Sequence, residues 1–145
     1  MAAPKKKHPV GSAAYNRKAG FDVQIEDKWE AGLVLTGDEI KSIRAGRLQL
    51  VGGYVRLLSG IPVVLGIHLS QAKDPDRVRK LLLSAKEIET LRGMIQEKGK
   101  VAVPLDIHFR RGWAKLTVGI GTGRKQHDKR ELVKQRDLER EMRRG

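Results

Sequence analysis

The sequence predicts a mainly β fold: a small, closed antiparallel barrel of about six strands, with two or three short helices and a basic C-terminal tail that is disordered on its own. Alternating apolar and polar residues recur through the middle of the chain, and tight-turn signals separate several of these stretches. Both ends are strongly basic and offer little to bury. We therefore predict a flexible arm at residues 1–14, the barrel at residues 15–122 and the tail at residues 123–145.

The first half of the barrel is predicted from two apolar stretches and one helix signal. Apolar and polar residues alternate from Phe21 onward, which is typical of a half-buried strand, and a second apolar run covers residues 32–35. Thr36 and Glu39 then have the spacing of a capping box. This spacing predicts a short helix, which Gly46 is well placed to end.

The central region predicts a hairpin followed by a second helix. Residues 54–58 and 61–69 are apolar stretches on either side of a Ser-Gly pair, which is typical of a tight turn. Residues 71–80 are polar and predict a loop. Ser84 then opens another capping box, and the apolar spacing that follows predicts an amphipathic helix.

Two more strands complete the predicted barrel. Apolar residues occupy the odd positions from Val101 to Phe109, and a turn at residues 110–112 leads into a second alternation from Ala114 onward. Short strands of this number, with helices between them, favour a closed barrel over a sandwich, and the oligonucleotide-binding (OB) barrel is the leading candidate. The glycines at residues 119–123 fit no phosphate-binding pattern, so we expect a flexible exit from the last strand there.

The charge of the chain indicates an anionic partner. The net charge is +13, of which +5 comes from residues 1–18 and +4 from residues 124–145. Basic ends on a folded centre are typical of proteins that bind polyanions. The tail lacks the apolar stripe of a membrane-surface helix, no apolar run approaches transmembrane length, and the start lacks the apolar core of a secretory signal. The sequence therefore predicts a cytoplasmic protein with no membrane partner.

No pattern predicts catalysis, a metal or a cofactor. The chain has no cysteine, and its four histidines have no metal-binding spacing. No nucleophile and base stand in a recognisable arrangement. His68 and His108 fall on the non-core faces of predicted strands, so we interpret them as surface imidazoles or as hydrogen-bonding groups that face RNA. We expect a protein that is not an enzyme.

Several features favour a structured RNA as the partner. Basic clusters lie mostly in loops or at element ends, at positions 5–7, 17–18, 79–80, 110–111, 124–125 and 129–130. One such cluster is usually a solvated surface, but this many of them with this net charge favour phosphate contact. Aromatic residues make up 4% of the chain, too few for a generic single-strand stacking surface, which favours RNA recognised by shape and backbone. Glu30 is either an ordinary edge residue or an acceptor for base edges.

Five stretches together resemble the small protein B (SmpB) family, the SsrA-binding proteins that partner transfer-messenger RNA in bacteria. They lie, in order, at residues 16–19, 30–32, 37–46, 79–83 and 123–130. The resemblance covers about residues 9–140. It implies an OB-like barrel with appended helices, in agreement with the alternation pattern.

The resemblance also implies a function. A member of this family binds the tRNA-like domain of transfer-messenger RNA and enters stalled ribosomes with it, standing in for the missing anticodon arm. The tail is expected to lie in the empty mRNA channel, next to the decoding centre, and to become helical there. The nascent peptide is then tagged for degradation and the ribosome is released. We expect this chain to act as a monomer.

Expected site residues follow from the positions that match the family's motifs. Those expected to contact the RNA are Lys18, Glu30, Leu82, Ser84, Arg124 and Lys125. Gly123 is expected to be the hinge between barrel and tail. The residues expected at the decoding centre are His127, Asp128, Lys129 and Arg130. Ser84 stands where the family commonly has Asn, and the loop at residues 71–78 is shorter than in many members.

Two other functions stay open on the sequence alone. A structural ribosomal protein, bound permanently to rRNA, would have the same charge and the same fold class. A nuclease on a barrel scaffold is the enzymatic alternative, although the chain has no carboxylate cluster that predicts a catalytic metal.

Overall fold

A computed structural model describes residues 12–123 of the protein. Its strands are β1 (Ser12–Tyr15), β2 (Val23–Leu33), β3 (Leu48–Gln49), β4 (Tyr54–Leu58), β5 (Ile61–Leu65), β6 (His68–Leu69), β7 (Arg79–Leu82), β8 (Lys100–Arg110) and β9 (Trp113–Gly123). Its helices are α1 (Arg17–Asp22), α2 (Gly37–Arg44) and α3 (Ala85–Gln96). Residues 1–11 of the predicted arm and residues 124–145 of the predicted tail lie outside this range and stay predictions, whereas residues 12–14 of the predicted arm belong to β1.

Within residues 12–123, seven strands form one antiparallel sheet in the order β1-β8-β9-β2-β7-β5-β4, and β3 pairs separately with β6. The mainly β, antiparallel class and the short helices are confirmed. The closed barrel is wrong, because β1 and β4 stand at the two edges of the sheet and do not pair with each other. Apolar alternation indicates which face of a strand is buried, but it does not indicate which strands pair at the edges.

The second edge of β8 is partly covered by β1 and the residue that follows it. One edge of β8 pairs with β9 and the other with β1. Where β1 ends, the backbone N–H of Asn16 donates to the carbonyl of Leu105 at 2.7 Å, and its side-chain amide donates to the carbonyl of Pro104 at 3.0 Å. Pro104 has no N–H to offer a further ladder. β4 lies close to β8 but does not pair with it, so the barrel is not closed there.

A β-bulge in β8 overturns part of the predicted core. The register shifts between Pro104 and Asp106, so the buried face changes from even to odd positions. Ala102 and Pro104 are buried before the shift, and Ile107 is buried after it. Val101, which an uninterrupted alternation assigns to the core, is exposed instead. Because β8 is apolar at nearly every position, its sequence does not indicate where the register shifts.

The N-terminal part of the domain also differs from the prediction. Phe21 lies in α1 rather than in a strand, because Asn16 caps this helix by accepting a hydrogen bond from the N–H of Ala19 at 3.1 Å. The two apolar stretches predicted here contribute to one long strand, β2, which begins at Val23. Its register with β9 shifts just after Ile25, and this irregularity interrupts the apolar pattern.

Both capping boxes and the hairpin turn are confirmed. The N–H of Thr36 donates to Glu39 Oε1 at 2.8 Å at the start of α2, and an equivalent box opens α3. Ser59 and Gly60 have φ angles of 51° and 80°, as the two central residues of a tight hairpin turn require. The second hairpin strand is shorter than predicted, because β5 ends at Leu65 and the glycine that follows has a φ of 77°.

The glycines at residues 119–123 belong to β9 and pair with β2, so the predicted flexible exit is wrong. A Cβ on Gly121 would lie 1.9 Å from the carbonyl oxygen of Gln24, and a Cβ on Gly119 would lie 2.6 Å from a methyl group of Leu105. These glycines therefore allow the backbone of β2 and the side chains of β8 to approach β9 closely.

A buried ion cluster lies at the end of the predicted polar loop. Arg79 begins β7 and is fully buried, and its Nε donates to Glu39 Oε2 at 2.8 Å. Arg77 binds the same carboxylate through two nitrogens, at 2.9 and 2.6 Å. The other nitrogens of the Arg79 guanidinium donate to the backbone carbonyls at positions 67, 74 and 75. Arg79 is thus a structural residue that joins α2 to the loop before β7, and it is not available to phosphate.

Replacing Glu39 with Gln should strongly destabilise the fold. The amide keeps the shape of the side chain but leaves the buried Arg79 guanidinium without a counter-charge, and breaking a buried pair in this way costs about 3–5 kcal/mol. Urea unfolding at pH 7 measures the difference. The control is Glu89→Gln, which breaks an exposed pair with Arg92 and should change the free energy of unfolding far less. Equal effects of the two substitutions would contradict the structural role of Glu39.

Acid should remove the contribution of Glu39 to stability. Burial works to raise the pKa of Glu39, but hydrogen bonds from Arg77, from the Thr36 backbone and from Arg79 outweigh it and lower the pKa from 4.5 to about 2. The contribution is therefore present in full above pH 4.5 and is lost as the pH falls toward 2. Between these values the stability of the wild type should fall more steeply than that of Glu39→Gln. If the free energy of unfolding fell equally with pH in the wild type and in Glu39→Gln, protonation of Glu39 would not be coupled to unfolding.

Candidate nucleic-acid interface

The outer face of the sheet is the surface on which the predicted RNA contacts meet. β2, β9 and β8 are neighbouring strands of 11 residues each, and their core-facing residues Ala31, Leu116 and Ile107 are buried. On each strand, the residues that alternate with these core-facing residues face outward. One row across β7, β2, β9 and β8 holds Leu82, Gly32, Lys115 and His108. The next row holds Glu30, Thr117 and Asp106.

A partly apolar groove of about 810 Å³ runs along one side of this outer face. Its lining includes Gly32, Val34, Leu82, Arg111, Trp113 and Lys115. Leu82 and Trp113 are 64% and 72% exposed, and exposed large apolar side chains that lie together indicate a binding surface. Gly32 makes room for Leu82, because a Cβ on this glycine would lie 3.1 Å from the Leu82 Cβ. The groove therefore combines an open indole ring with cations at its rim.

Glu30 is held on this face by a chain of charged groups. Its Oε2 lies 2.8 Å from His108 Nε2 and 3.0 Å from Arg110 Nη2. His108 Nδ1 lies 2.8 Å from Asp106 Oδ1. The hydrogen bond from His108 is the main cause that lowers the pKa of Glu30; partial burial opposes it, and the charges of Arg110 and Lys115 add to it. Glu30 is thus ionised at neutral pH and acts only as a hydrogen-bond acceptor.

The described part of the chain, residues 12–123, holds no group of three or more His, Asp or Glu side chains that could bind a metal ion. No helix in that range has the length and apolar character needed to cross a membrane. The outer face thus combines the carboxylates of Glu30 and Asp106, the open ring of Trp113 and several cations.

Comparisons with known proteins identify the family. The family model described as SmpB protein matches residues 13–145. The chain belongs to the SmpB family. The SsrA-binding protein of Pseudomonas syringae pv. tomato is 43% identical over 151 aligned positions, which cover 99% of this chain and 94% of that protein. The SsrA-binding protein of Cupriavidus necator is 46% identical over 136 positions, which cover 88% of this chain and 91% of that protein.

A solved SmpB structure has a similar fold. The chain reported under the words "tmRNA-SmpB: a journey to the center of the bacterial ribosome" matches with a TM-score of 0.67 and 35% sequence identity. The match covers 83% of this chain and 93% of that one. The resemblance to SmpB seen in the sequence is therefore confirmed.

Of the RNA contacts expected in SmpB, Glu30 and Leu82 lie on the outer face, and Ser84 follows just after β7. Ser84 caps α3: its Oγ accepts from the N–H of Glu87 at 3.2 Å, and its own N–H donates to Glu87 Oε1 at 2.9 Å. The hydroxyl hydrogen of Ser84 is left to donate outward. The roles of these three residues in RNA binding stay predictions.

Gly123 lies at the opposite end of β2, and Lys18 lies on the short helix before β2. Gly123 pairs with Val23, the first residue of β2. Lys18 lies in α1, directly before β2, and pairs with Asp22 at 3.1 Å. A strand rises about 3.4 Å per residue, so this end of β2 is about 30 Å from the row that contains Leu82. The structure places Lys18 on α1, which starts beside Leu105 of β8, and so apart from Glu30 and Leu82.

The remaining expected site residues lie outside the described residues, and their roles stay predictions. They are Arg124, Lys125, His127, Asp128, Lys129 and Arg130. Gly123 is described, and its N–H donates to the carbonyl of Gly99 at 3.1 Å. β9 is therefore paired up to its last residue. A Cβ on Gly123 would meet nothing within 4 Å, so packing does not require glycine at the expected hinge.

The sequence predictions missed Trp113, Lys115 and Asp106 on the outer face, and the contact between Glu30 and His108. Trp113 has the same parity as the outward-facing Lys115, and this signal could have placed its ring on the surface. Asp106 shares the parity of His108, which the sequence placed on the non-core face, whereas the contacts of Glu30 with His108 and Arg110 had no such signal. They depend on the register of β2, β9 and β8, which sequence spacing does not reveal.

Proposed function

We propose that this SmpB family member is an RNA-binding adaptor, which binds the tRNA-like domain of transfer-messenger RNA and delivers it to stalled ribosomes for trans-translation. The family match over residues 13–145 carries the proposal. Relatives that are 43% and 46% identical are named SsrA-binding proteins, and the similar solved chain is described with tmRNA and the bacterial ribosome. We further propose that the protein acts in the cytoplasm, as a monomer, and that it catalyses no reaction itself.

The outer face is the proposed site for the tRNA-like domain. Glu30 offers an acceptor to a base edge, and Trp113 and Leu82 offer a surface on which an exposed base can stack. Lys115 and Arg111 lie close enough to the groove to contact phosphates on either side of such a base. Folded RNA presents unstacked bases in its loops, where a base edge, a base face and a phosphate are all accessible together.

Further RNA contacts are proposed beyond the outer face, at Ser84, Lys18, Arg124 and Lys125. Ser84 offers its hydroxyl at the start of α3, and Lys18 offers an ammonium on α1. Because Lys18 lies on α1, beside Asn16 and the outer edge of β8, its contact would be with a separate part of the RNA backbone. Such a contact gives affinity without reading sequence.

A separate role is proposed for the tail after Gly123. Residues 124–145 carry a net charge of +4 and few apolar side chains, so they cannot offset the cost of ordering without a partner. As a helix they would extend about 33 Å, a length suited to a channel lined by RNA phosphates. An mRNA in that channel would exclude the tail, which would restrict the complex to ribosomes without downstream mRNA. The residues proposed for the decoding centre are His127, Asp128, Lys129 and Arg130.

The protein should bind a transcript of the tRNA-like domain more tightly than unrelated hairpins of equal length. Competition gel shifts at rising salt measure this preference, because generic phosphate contacts weaken steeply with salt. Equal affinity for all hairpins would contradict the adaptor function. Binding to every ribosome at constant stoichiometry, without the RNA, would favour a structural ribosomal protein instead.

Trp113→Ala should weaken this complex about tenfold, because a base–aromatic stack contributes about 1–3 kcal/mol. The matched control is Tyr54→Ala, since Tyr54 is also an exposed aromatic residue but lies on β4, at the far edge of the sheet. Isothermal titration calorimetry with the same transcript gives both affinities, and thermal unfolding verifies that both variants fold. A loss for Tyr54→Ala as large as that for Trp113→Ala would place the RNA elsewhere.

Truncation after Lys125 should spare binding of the RNA and abolish tagging. The shortened chain keeps every proposed contact to the tRNA-like domain but lacks the residues proposed for the decoding centre. Gel shifts measure the first property, and a reconstituted translation assay on a message without a stop codon measures the second. Loss of RNA binding in the shortened chain would contradict the separate role of the tail.

A further inference from the structure

His108 lies between two carboxylates on the outer face. Its Nε2 is 2.8 Å from Glu30 Oε2, and its Nδ1 is 2.8 Å from Asp106 Oδ1. An ionised carboxylate only accepts hydrogen bonds, and a neutral imidazole donates from one nitrogen only. Both contacts are therefore hydrogen bonds only when the ring is an imidazolium, with a proton on each nitrogen.

This network engages one oxygen of Glu30 and leaves the other without a partner. Oε2 is held by His108 and Arg110, whereas Oε1 has no partner among residues 12–123. The Glu30 side chain is 31% exposed, so a ligand can reach it. A carboxylate that is already fixed at one oxygen loses less conformational freedom when the other oxygen binds.

We propose that His108 is a positioning residue for RNA recognition. Its imidazolium, anchored on Asp106, holds Glu30 so that Oε1 accepts a hydrogen bond from an exposed N–H group of an RNA base. The amino group of an unpaired cytosine is such a donor, and carboxylates read it in other complexes. This inference rests on the proposed function and adds one defined contact to it.

Charged groups from several strands make the arrangement sensitive to pH. The titratable groups that face this network are Glu30 on β2, Lys115 on β9, Asp106 and Arg110 on β8, and Tyr15 on β1 opposite Asp106. Partial burial works to lower the pKa of His108, but the hydrogen bonds and charges of Glu30 and Asp106 outweigh it and raise the pKa above 6.5. The imidazolium is therefore complete well below this raised pKa and is lost as the pH rises through it. Affinity for the RNA should fall over the same range.

The first experiment compares pH profiles of RNA affinity. Full-length wild type, His108→Gln and the control His68→Gln are titrated with a tRNA-like-domain transcript from pH 6 to pH 9 at constant ionic strength. His68 is a matched control because it also contacts a carboxylate, with Nδ1 2.8 Å from Asp76 Oδ1, but it lies on β6, away from the outer face. Wild type and His68→Gln should lose about tenfold in affinity across the range. His108→Gln should bind weakly throughout and lack this step.

A double-mutant cycle separates positioning from a direct contact between His108 and phosphate. Glu30→Gln and His108→Gln should each weaken the complex. The double variant should bind the RNA with the same affinity as the single variant that binds less tightly, because His108 acts through Glu30. Additive losses would mean that His108 binds the RNA by itself, and they would overturn the inference.

The protonation of the ring can be measured without any substitution at His108. Nitrogen-15 NMR of the free, full-length protein should detect protons on both ring nitrogens at pH 6.5, and Glu30→Gln should lower the pKa of the ring. A neutral ring at pH 6.5 would overturn the inference. If the RNA complex is specific but its affinity depends on pH in the same way for wild type and His108→Gln, the inference about His108 is overturned and the proposed function stands. The absence of any specific complex would overturn the proposed function together with it.

Discussion

The shared register of β2, β9 and β8 is the constraint on which the rest of the molecule depends. Side chains alternate between the two faces of a strand, so a slip of one residue would turn Glu30, Lys115 or His108 into the core and expose their apolar neighbours. Bulges in β2 and β8 change this alternation at defined places. Gly119 and Gly121 permit the close approach that the register requires, because no larger residue fits there. The register thus fixes both the core and the outer face.

The outer face joins residues of β2 to residues of the β8–β9 hairpin, which lies far away in the sequence. An acid on β2, an imidazole on β8 and an indole on β9 become neighbours only because these strands pair. Glu30 and Leu82 could be predicted from the family motifs, since each stands within a recognisable stretch. The link from Glu30 to His108 could not, because it joins positions 78 residues apart. The position of Trp113 could have been predicted, because it alternates along β9 in step with the outward-facing Lys115.

The sequence predicts those parts of the fold that depend on interactions between residues close together in the chain. The capping boxes at Thr36 and Ser84 are set by residues three positions apart, and the sequence displays them directly. The attachment of β1 and α1 to β8 depends instead on Asn16, whose amide bonds to a carbonyl 88 residues away. Arg79 was assigned to a polar loop by its neighbours, but its burial depends on Glu39, 40 residues away. Periodicity carries no information about such distant partners.

The position of the RNA on the protein decides whether the outer face is the binding surface. Backbone amide shifts of nitrogen-15-labelled protein, recorded with and without the tRNA-like-domain transcript, locate it residue by residue. The largest changes are expected on β2, β9 and β8 around Glu30, Trp113 and His108, with little change on β4. A second groove, of about 710 Å³, lies between β4 and α3 and is lined in part by Tyr54 and Arg92. Changes concentrated there would contradict the assignment of the outer face.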